Sequence, residues 1–216
     1  GLTSVVSTVL GLLLVDRIGR RPLIIGGMIW IIASLGLCAY GFNQARYLLT
    51  EEAVAELSDV PQPERLTGLV GTEFASDIAL KRALREALGE EDARKYQGAI
   101  LEKAIQMNAA LVLVSILSFI AAFQFSVGPV MWVLFSEIFP ISVRGLAIPF
   151  FTIITSLTSY LVQLFFPWQL ENMGMSSIFL FYAATVGIGL GILFFTLKET
   201  KNMSIEEIQA SMSMSK

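Results

Sequence analysis

Four stretches of the chain carry no Asp, Glu, Lys or Arg: residues 22–42, 109–136, 145–170 and 176–197. A run of about 20 apolar residues is what crosses the hydrocarbon core of a bilayer, so each predicts a membrane-spanning helix. The opening GLTSVVSTVLGLLLV is a shorter apolar run without an initiating Met or a polar leader region, so it reads as a helix cut by the chain start rather than a signal peptide. The expected fold class is therefore all-α integral membrane, with about five transmembrane helices.

Between residues 43 and 108 the pattern changes. Of the 33 charged residues (15 basic and 18 acidic), 20 lie in this segment. Thr50-Glu51-Glu52-Ala53 resembles a helix start, Pro61 and Pro63 break the chain, and Leu80, Leu84 and Leu88 recur at helical spacing. A second amphipathic stretch places Ala93, Gln97, Leu101, Ala104 and Ile105 on one face. The segment reads as a helical insertion resting on the membrane surface or on itself, with partner binding or ligand gating as the alternative. Three regions follow: 1–42 with the cut helix, a loop and one span; the insertion, 43–108; and 109–216 with three spans and a tail.

Composition supports the membrane class, with 55% hydrophobic and 15% charged residues against roughly a quarter charged in soluble domains. The single Cys38 lies inside a span and the chain has no His, so neither a disulfide framework nor a metal site is expected. No cofactor and no nucleic-acid partner is expected either. An enzyme is disfavoured because no His, Cys or carboxylate cluster lies in the spans.

Arg17, Arg20 and Arg21 follow the first apolar run, Arg144 follows the 109–136 span, and Lys198, Lys201 and Lys216 follow the last. The positive-inside rule makes those ends cytoplasmic, including the C-terminus, and puts the insertion and the turn at Glu171 outside.

Polar positions within the spans carry the candidate chemistry. Pro129, inside the 109–136 span, removes a donor and leaves the carbonyl of Phe125 without its usual partner. Gln124, Gly128, Trp132 and Ser136 recur every fourth residue and line one helix face with an amide, bare backbone, an indole and a hydroxyl. That face suits a polyol, whose C–H faces stack on aromatic rings and whose hydroxyls bind amides. A kinked packing helix with an interfacial Trp is the alternative. Thr152, Ser156, Ser159 and Gln163, with Thr155 beside them, form a second stripe, and Thr3, Ser4, Ser7 and Thr8 a third. Such hydroxyls also commonly bond the carbonyls of their own helix or a neighbour. Gly187 and Gly191 are spaced for close helix packing.

Three charged clusters, VDRIGRRPL at 15–23, SEIFPISVRG at 136–145 and KETKNMSIEEI at 198–208, sit at span ends. A Glu at a span boundary calls for a cation, and Glu137 has Arg144 or the arginines at 17, 20 and 21 to choose from. Exchange between such partners would make a gate; plain positive-inside anchoring is the alternative.

In this order, and with GPVMW between the first two, the clusters closely resemble the C-terminal half of sugar porters of the major facilitator superfamily, helices 8 to 12. DRIGRR, GPVMWVLFSEIFPISVRG and KETK stand at the family's motif positions. The resemblance implies a secondary carrier for a sugar or related polyol, working by alternating access with proton coupling, in the plasma or inner membrane. It also implies that helices 1 to 7 of the same protein complete the pathway. It places the sugar-stacking tryptophan at Trp132, a backbone contact at Gly128 and outer-site residues at Phe123 and Gln124. Ser4 stands where many members carry an asparagine, and Thr155 near a helix-11 amide position. The implied salt-bridge network comprises Asp16, Arg17, Arg20, Arg21, Glu137, Arg144 and Glu199. A non-transporting sugar receptor or sensor of the same fold is the competing function.

Overall fold

The computed structural model describes residues 1–57, 60, 63–139 and 141–197, with side chains at all of these except 16, 63 and 135–138. The chain is mostly helical: α1 (Leu2–Ile18), α2 (Arg20–Asn43), α3 (Glu51–Ala55), α4 (Asp77–Leu88), α5 (Glu90–Ala104), α6 (Ala109–Phe125), α7 (Val127–Ile138), α8 (Ile141–Asn172) and α9 (Met175–Thr196). Three short strands, β1 (Arg46–Leu48), β2 (Glu73–Phe74) and β3 (Ile105–Gln106), and a 3-10 turn at Pro63–Leu69 complete the described elements.

Among the described residues, four helical stretches are long and apolar enough to cross a membrane: Arg20–Asn43, Ala109–Leu134, Ile141–Asn172 and Met175–Thr196, with Leu2–Val15 as a shorter apolar helix. At 24 residues, α2 is about 36 Å long, enough to clear a core of about 30 Å. The protein is a multi-pass membrane protein, as the charge-free stretches predict.

By its contacts the chain falls into two compact units. One holds Gly1–Gly36, Leu113–Phe166 and the described residues from Leu180; the other holds Leu37–Val112 and Pro167–Phe179.

In the first unit α1 packs on α7. Its core consists of Val15, Leu23, Ile24, Met28, Val130 and Leu134, with Val186, Leu190 and Leu193 of α9 against it. Gly19 ends α1 at a φ of 103°, in the left-handed region, so the glycine of DRIGRR is what lets α2 start at the next residue. Ser118 Oγ of α6 accepts from Trp30 Nε1 at 2.8 Å and lies 3.0 Å from Ser34 Oγ, so α2 and α6 are joined by a polar contact inside the apolar layer.

The second unit has a core of its own. Leu80, Leu84 and Leu88 of α4 are buried, as their spacing predicts, together with Leu49, Leu66, Ile100 and Ala104. Thr50 caps α3 by accepting from the Ala53 amide at 3.1 Å, as the Thr-Glu-Glu-Ala pattern predicts. The core face of α5 holds Ala93, Leu101 and Ala104, followed by Ile105, as expected, and Tyr96 and Ile100 join it, Ile100 fully buried. The segment is also not purely helical: β1 pairs antiparallel with β2 on one side and β3 on the other, with Tyr47 opposite Phe74 and Ile105. These strands bring the two ends of the insertion together.

Tyr47 lies at the centre of that sheet, 2% exposed. Burial, with the Asp77 carboxylate second, pushes its phenol from 10.0 up to about 12. Between those values the unfolded chain releases a proton that the folded unit retains, so the unit loses stability as pH rises through that range. Phenolate absorbance during a pH titration should therefore show one late-ionising tyrosine, and Tyr47→Phe should remove that late step.

Candidate functional site

Helix α6 ends at Phe125 and α7 begins at Val127, so the 109–136 span is interrupted at Ser126 rather than merely kinked at Pro129. Pro129 has no N–H for the carbonyl of Phe125, and the α6 ladder stops at that residue. Ser126 N instead bonds Phe123 O at 3.4 Å, and Val130 N bonds Ser126 O at 3.2 Å to open the next helix. Ser126, fully buried, donates its hydroxyl to Ala122 O at 2.6 Å.

Two glycines seat this break. A Cβ on Gly11 of α1 would collide with the backbone carbonyl of Phe125, and one on Gly27 of α2 would collide with the Ser126 side chain. The carbonyl freed by proline thus has the bare backbone of α1 against it. A defect of this kind inside an apolar layer is tolerated where protein surrounds it.

Next to the break, two predicted site residues meet. Gln124 Nε2 donates to Ser4 Oγ at 2.6 Å, joining α6 to α1. The Oε1 of the same amide lies 3.2 Å from where a Cβ on Gly128 would be, and a Phe123 ring carbon lies 3.3 Å from the same point. Gln124 and Gly128 are half-buried, whereas Phe123 and Trp132 are 42% and 49% exposed. By its bonding inventory Gln124 keeps a second N–H and its carbonyl, and Ser4 keeps its O–H. The face thus offers both polar signs next to the Phe123 ring, with Trp132 one turn further along α7.

The remaining candidates are placed differently. Thr155 is exposed on α8 and donates to Phe151 O at 2.9 Å, as Thr152 does to Ile148 O and Thr158 to Ile154 O. Arg20 donates to Val15 O at 3.4 Å, Arg21 to Phe194 O at 3.0 Å and Arg144 to Phe139 O at 3.1 Å. Each of these carbonyls lies in or just past the last turn of a helix, α1, α9 and α7 in turn, where orphan carbonyls and the helix dipole favour a cation. Arg21 also sits over the Phe194 ring, 5.8 Å from its centroid. Arg17 is exposed. The side chains of Asp16 and Glu137, and all of Glu199, lie outside the described residues, and with them the carboxylate half of the implied network. The glycine seat and the Trp30–Ser118–Ser34 contact have no counterpart among the sequence motifs; the i, i+4 spacing of Trp30 and Ser34 is a signal that could have found the latter.

Against known proteins, the family profile described as "Sugar (and other) transporter" matches residues 96–212. Solute carrier family 2, facilitated glucose transporter member 10 of Danio rerio is 27% identical over 221 residues, 100% of this chain and 40% of that protein. The D-xylose transporter of Levilactobacillus brevis is 33% identical over 107 residues, 50% of this chain and 23% of that protein. Among solved structures, the major facilitator superfamily proton:xylose symporter XylE bound to 6-bromo-6-deoxy-D-glucose matches with a TM-score of 0.56 at 24% identity. It covers 98% of this chain and 33% of that one. A double Trp mutant of XylE matches with a TM-score of 0.63 at 22% identity.

The chain thus has the fold of part of the two XylE structures. With more than half of its 216 residues matched, the chain belongs to the sugar transporter family, and the relatives it matches are transporters and not enzymes. It spans less than half the length of the facilitated glucose transporters it matches.

Substituting the seat tests the geometry. Gly11→Ala should lower stability by about 1–3 kcal/mol, because backbone rather than a flexible side chain stands in the way. Gly26→Ala, with nothing within 4 Å of its Cβ position, should be nearly neutral. Unfolding midpoints of the two variants in detergent provide the comparison, and equal midpoints would show the seat to be loose.

Proposed function

We propose that this chain forms helices 8 to 12 of a secondary carrier that moves a sugar or related polyol across the membrane by alternating access. The face built by Gln124, Ser4, Gly128 and Trp132 carries the reading. It combines a hydrogen-bonding amide and hydroxyl with an exposed indole one turn beyond Gly128, in a chain of a sugar transporter family. Trp132 is the stacking plate, Phe123 lines the outer part of the site, and Thr155 faces the solute from helix 11. In carriers of this fold the solute sits near the midplane between two halves that rock against each other. Helices 1 to 7 then supply the second wall. The names of the relatives support glucose or a pentose as the solute, and the description of XylE as a proton:xylose symporter supports proton coupling.

Within this reading, residues 1–42 are helix 8, a cytoplasmic loop and helix 9; 43–108 are an insertion on the outer side; and 109–216 are helices 10 to 12 with a cytoplasmic tail. The arginines at 17, 20, 21 and 144 with Asp16, Glu137 and Glu199 form the cytoplasmic gate, made when carboxylates close on the cations and broken when they part. The carrier resides in the plasma or inner membrane.

Two measurements check the proposal. In proteoliposomes holding the full-length carrier, labelled D-glucose or D-xylose should accumulate with an inward proton gradient, and Trp132→Ala should weaken solute binding by about 1–3 kcal/mol. Correctly inserted protein that takes up neither sugar would favour the sensor reading instead, and unchanged affinity in the variant would return Trp132 to a packing role. For orientation, Gly98 is exposed with nothing within 4 Å of its Cβ position. A membrane-impermeant maleimide should therefore label Gly98→Cys from outside intact cells; labelling only after permeabilisation would reverse the topology.

A further inference from the structure

Asp77 and Lys81, on the first turns of α4, are 5% and 6% exposed and pair at 3.0 Å. An ion pair buried this deeply is costly unless its remaining donors and acceptors are also used. Here they are used on a different part of the chain. Lys81 Nζ donates to Leu170 O at 2.6 Å, and Asp77 Oδ1 accepts from Met175 N at 3.4 Å.

Both contacts fall on the turn between α8 and α9, and both have the favourable sign. Leu170 O is among the last four carbonyls of α8, which lack partners within the helix, and Met175 N is the first orphan donor of α9. The ammonium thus meets the negative end of one helix dipole and the carboxylate the positive end of the next. Reversing the pair would set like against like at both. Gly174, between the two helices, completes the fit: a Cβ there would lie 3.2 Å from Asp77 Oδ1, tighter than ordinary contact. Arg94 of α5 adds an exposed pair to Glu171 of the same turn at 3.0 Å.

The turn is fastened on its other side as well. Ser176 Oγ donates to Ala39 O near the end of α2 at 2.9 Å, and Phe179 stacks on Phe42 at 5.4 Å and 12°. A Cβ on Gly41 would stand 2.9 Å from the Val112 side chain at the start of α6. The insertion and the adjoining ends of α2, α6, α8 and α9 thus form one connected set, all inside a single compact unit.

We propose that the Asp77–Lys81 pair is a polar clamp through which the 43–108 insertion locks the α8–α9 turn, so that the four helix ends in this unit move as one body. The consequence for transport rests on the carrier reading: the clamp obliges this end of the half to move together during alternating access. The clamp itself requires no solute.

Hydrogen exchange of the membrane-embedded full-length protein tests it. In the variant Asp77→Leu/Lys81→Met, which replaces the pair by apolar groups of similar size, amides of residues 167–179 should exchange at least about tenfold faster. Those of 80–104 should keep their protection. Gly174→Val, which blocks the approach of the carboxylate without touching the insertion core, should have the same effect. Unchanged exchange at 167–179 in both variants would overturn the proposal. Loss of protection at 80–104 equal to that at 167–179 in both would also overturn it, making the pair a folding element of the insertion alone. Neither readout involves uptake, so a failed clamp leaves the carrier proposal standing, and absent uptake leaves the clamp standing.

Discussion

Inside a bilayer every backbone donor and acceptor has to find its partner within the protein, and the carbonyl of Phe125 cannot do so in the ordinary way. Pro129 takes away the amide it would have bonded, and the local consequences follow from there. The helix stops at Phe125, Ser126 turns its hydroxyl onto Ala122 O, and α7 restarts at Val127. Two glycines on two other helices let bare backbone approach the gap. The break also positions the proposed solute face, since Gln124 lies in the last turn of one helix while Gly128 and Trp132 belong to the next. A continuous helix would hold these three in a fixed stack. An interrupted one lets the Gln124 amide reach sideways to Ser4 while its oxygen stays over Gly128.

The same need governs the helix ends. Arg20, Arg21 and Arg144 donate to carbonyls at the closing turns of α1, α9 and α7, and Asp77 and Lys81 serve the opening turn of α9 and the closing turn of α8. Charges of the right sign at helix termini gain from the dipole and from the low dielectric nearby. In the motif arginines this gives the proposed gate a physical form. A carboxylate that approached Arg21 would add to, or compete with, the carbonyl of Phe194 already bonded to it.

Much of this is legible in the amino-acid sequence. Spans declare themselves because a charge in hydrocarbon is too costly to recur, so its absence over some 20 residues is unambiguous. The leucines of α4 and the cap at Thr50 are equally plain. What escapes a linear reading is what depends on non-local pairing. Strands of two or three residues are too short for alternation to register, and β1 finds β3 almost 60 residues away. On α5 the apolar face is wider than the expected stripe, because Tyr96 and Ile100 add apolar surface to Ala93, Leu101, Ala104 and Ile105. Asp77 and Lys81 have the spacing of a common i,i+4 surface pair; nothing local reveals that residues near 170 bury them. The proline predicts a defect, but the clean interruption at Ser126 depends on two neighbouring helices.

The contrast between α8 and the α6–α7 face separates two kinds of polar residue in a membrane helix. Thr152, Thr155 and Thr158 are exposed and send their hydroxyls to carbonyls four residues back, so they place no demand on lipid or on a neighbour. A stripe of such residues is compatible with a solute path and equally with a plain helix surface. Gln124 is bonded differently. Its amide donates to Ser4 on another helix, although its own helix has carbonyls nearby, and both residues keep further bonding capacity at a half-buried position. A group that satisfies itself within its helix can be there for packing alone. A pair that spans two helices and retains unused donors and acceptors is what a hydroxyl-rich solute can engage. Gln124 and Ser4 therefore support the proposed site more firmly than any threonine of α8 does.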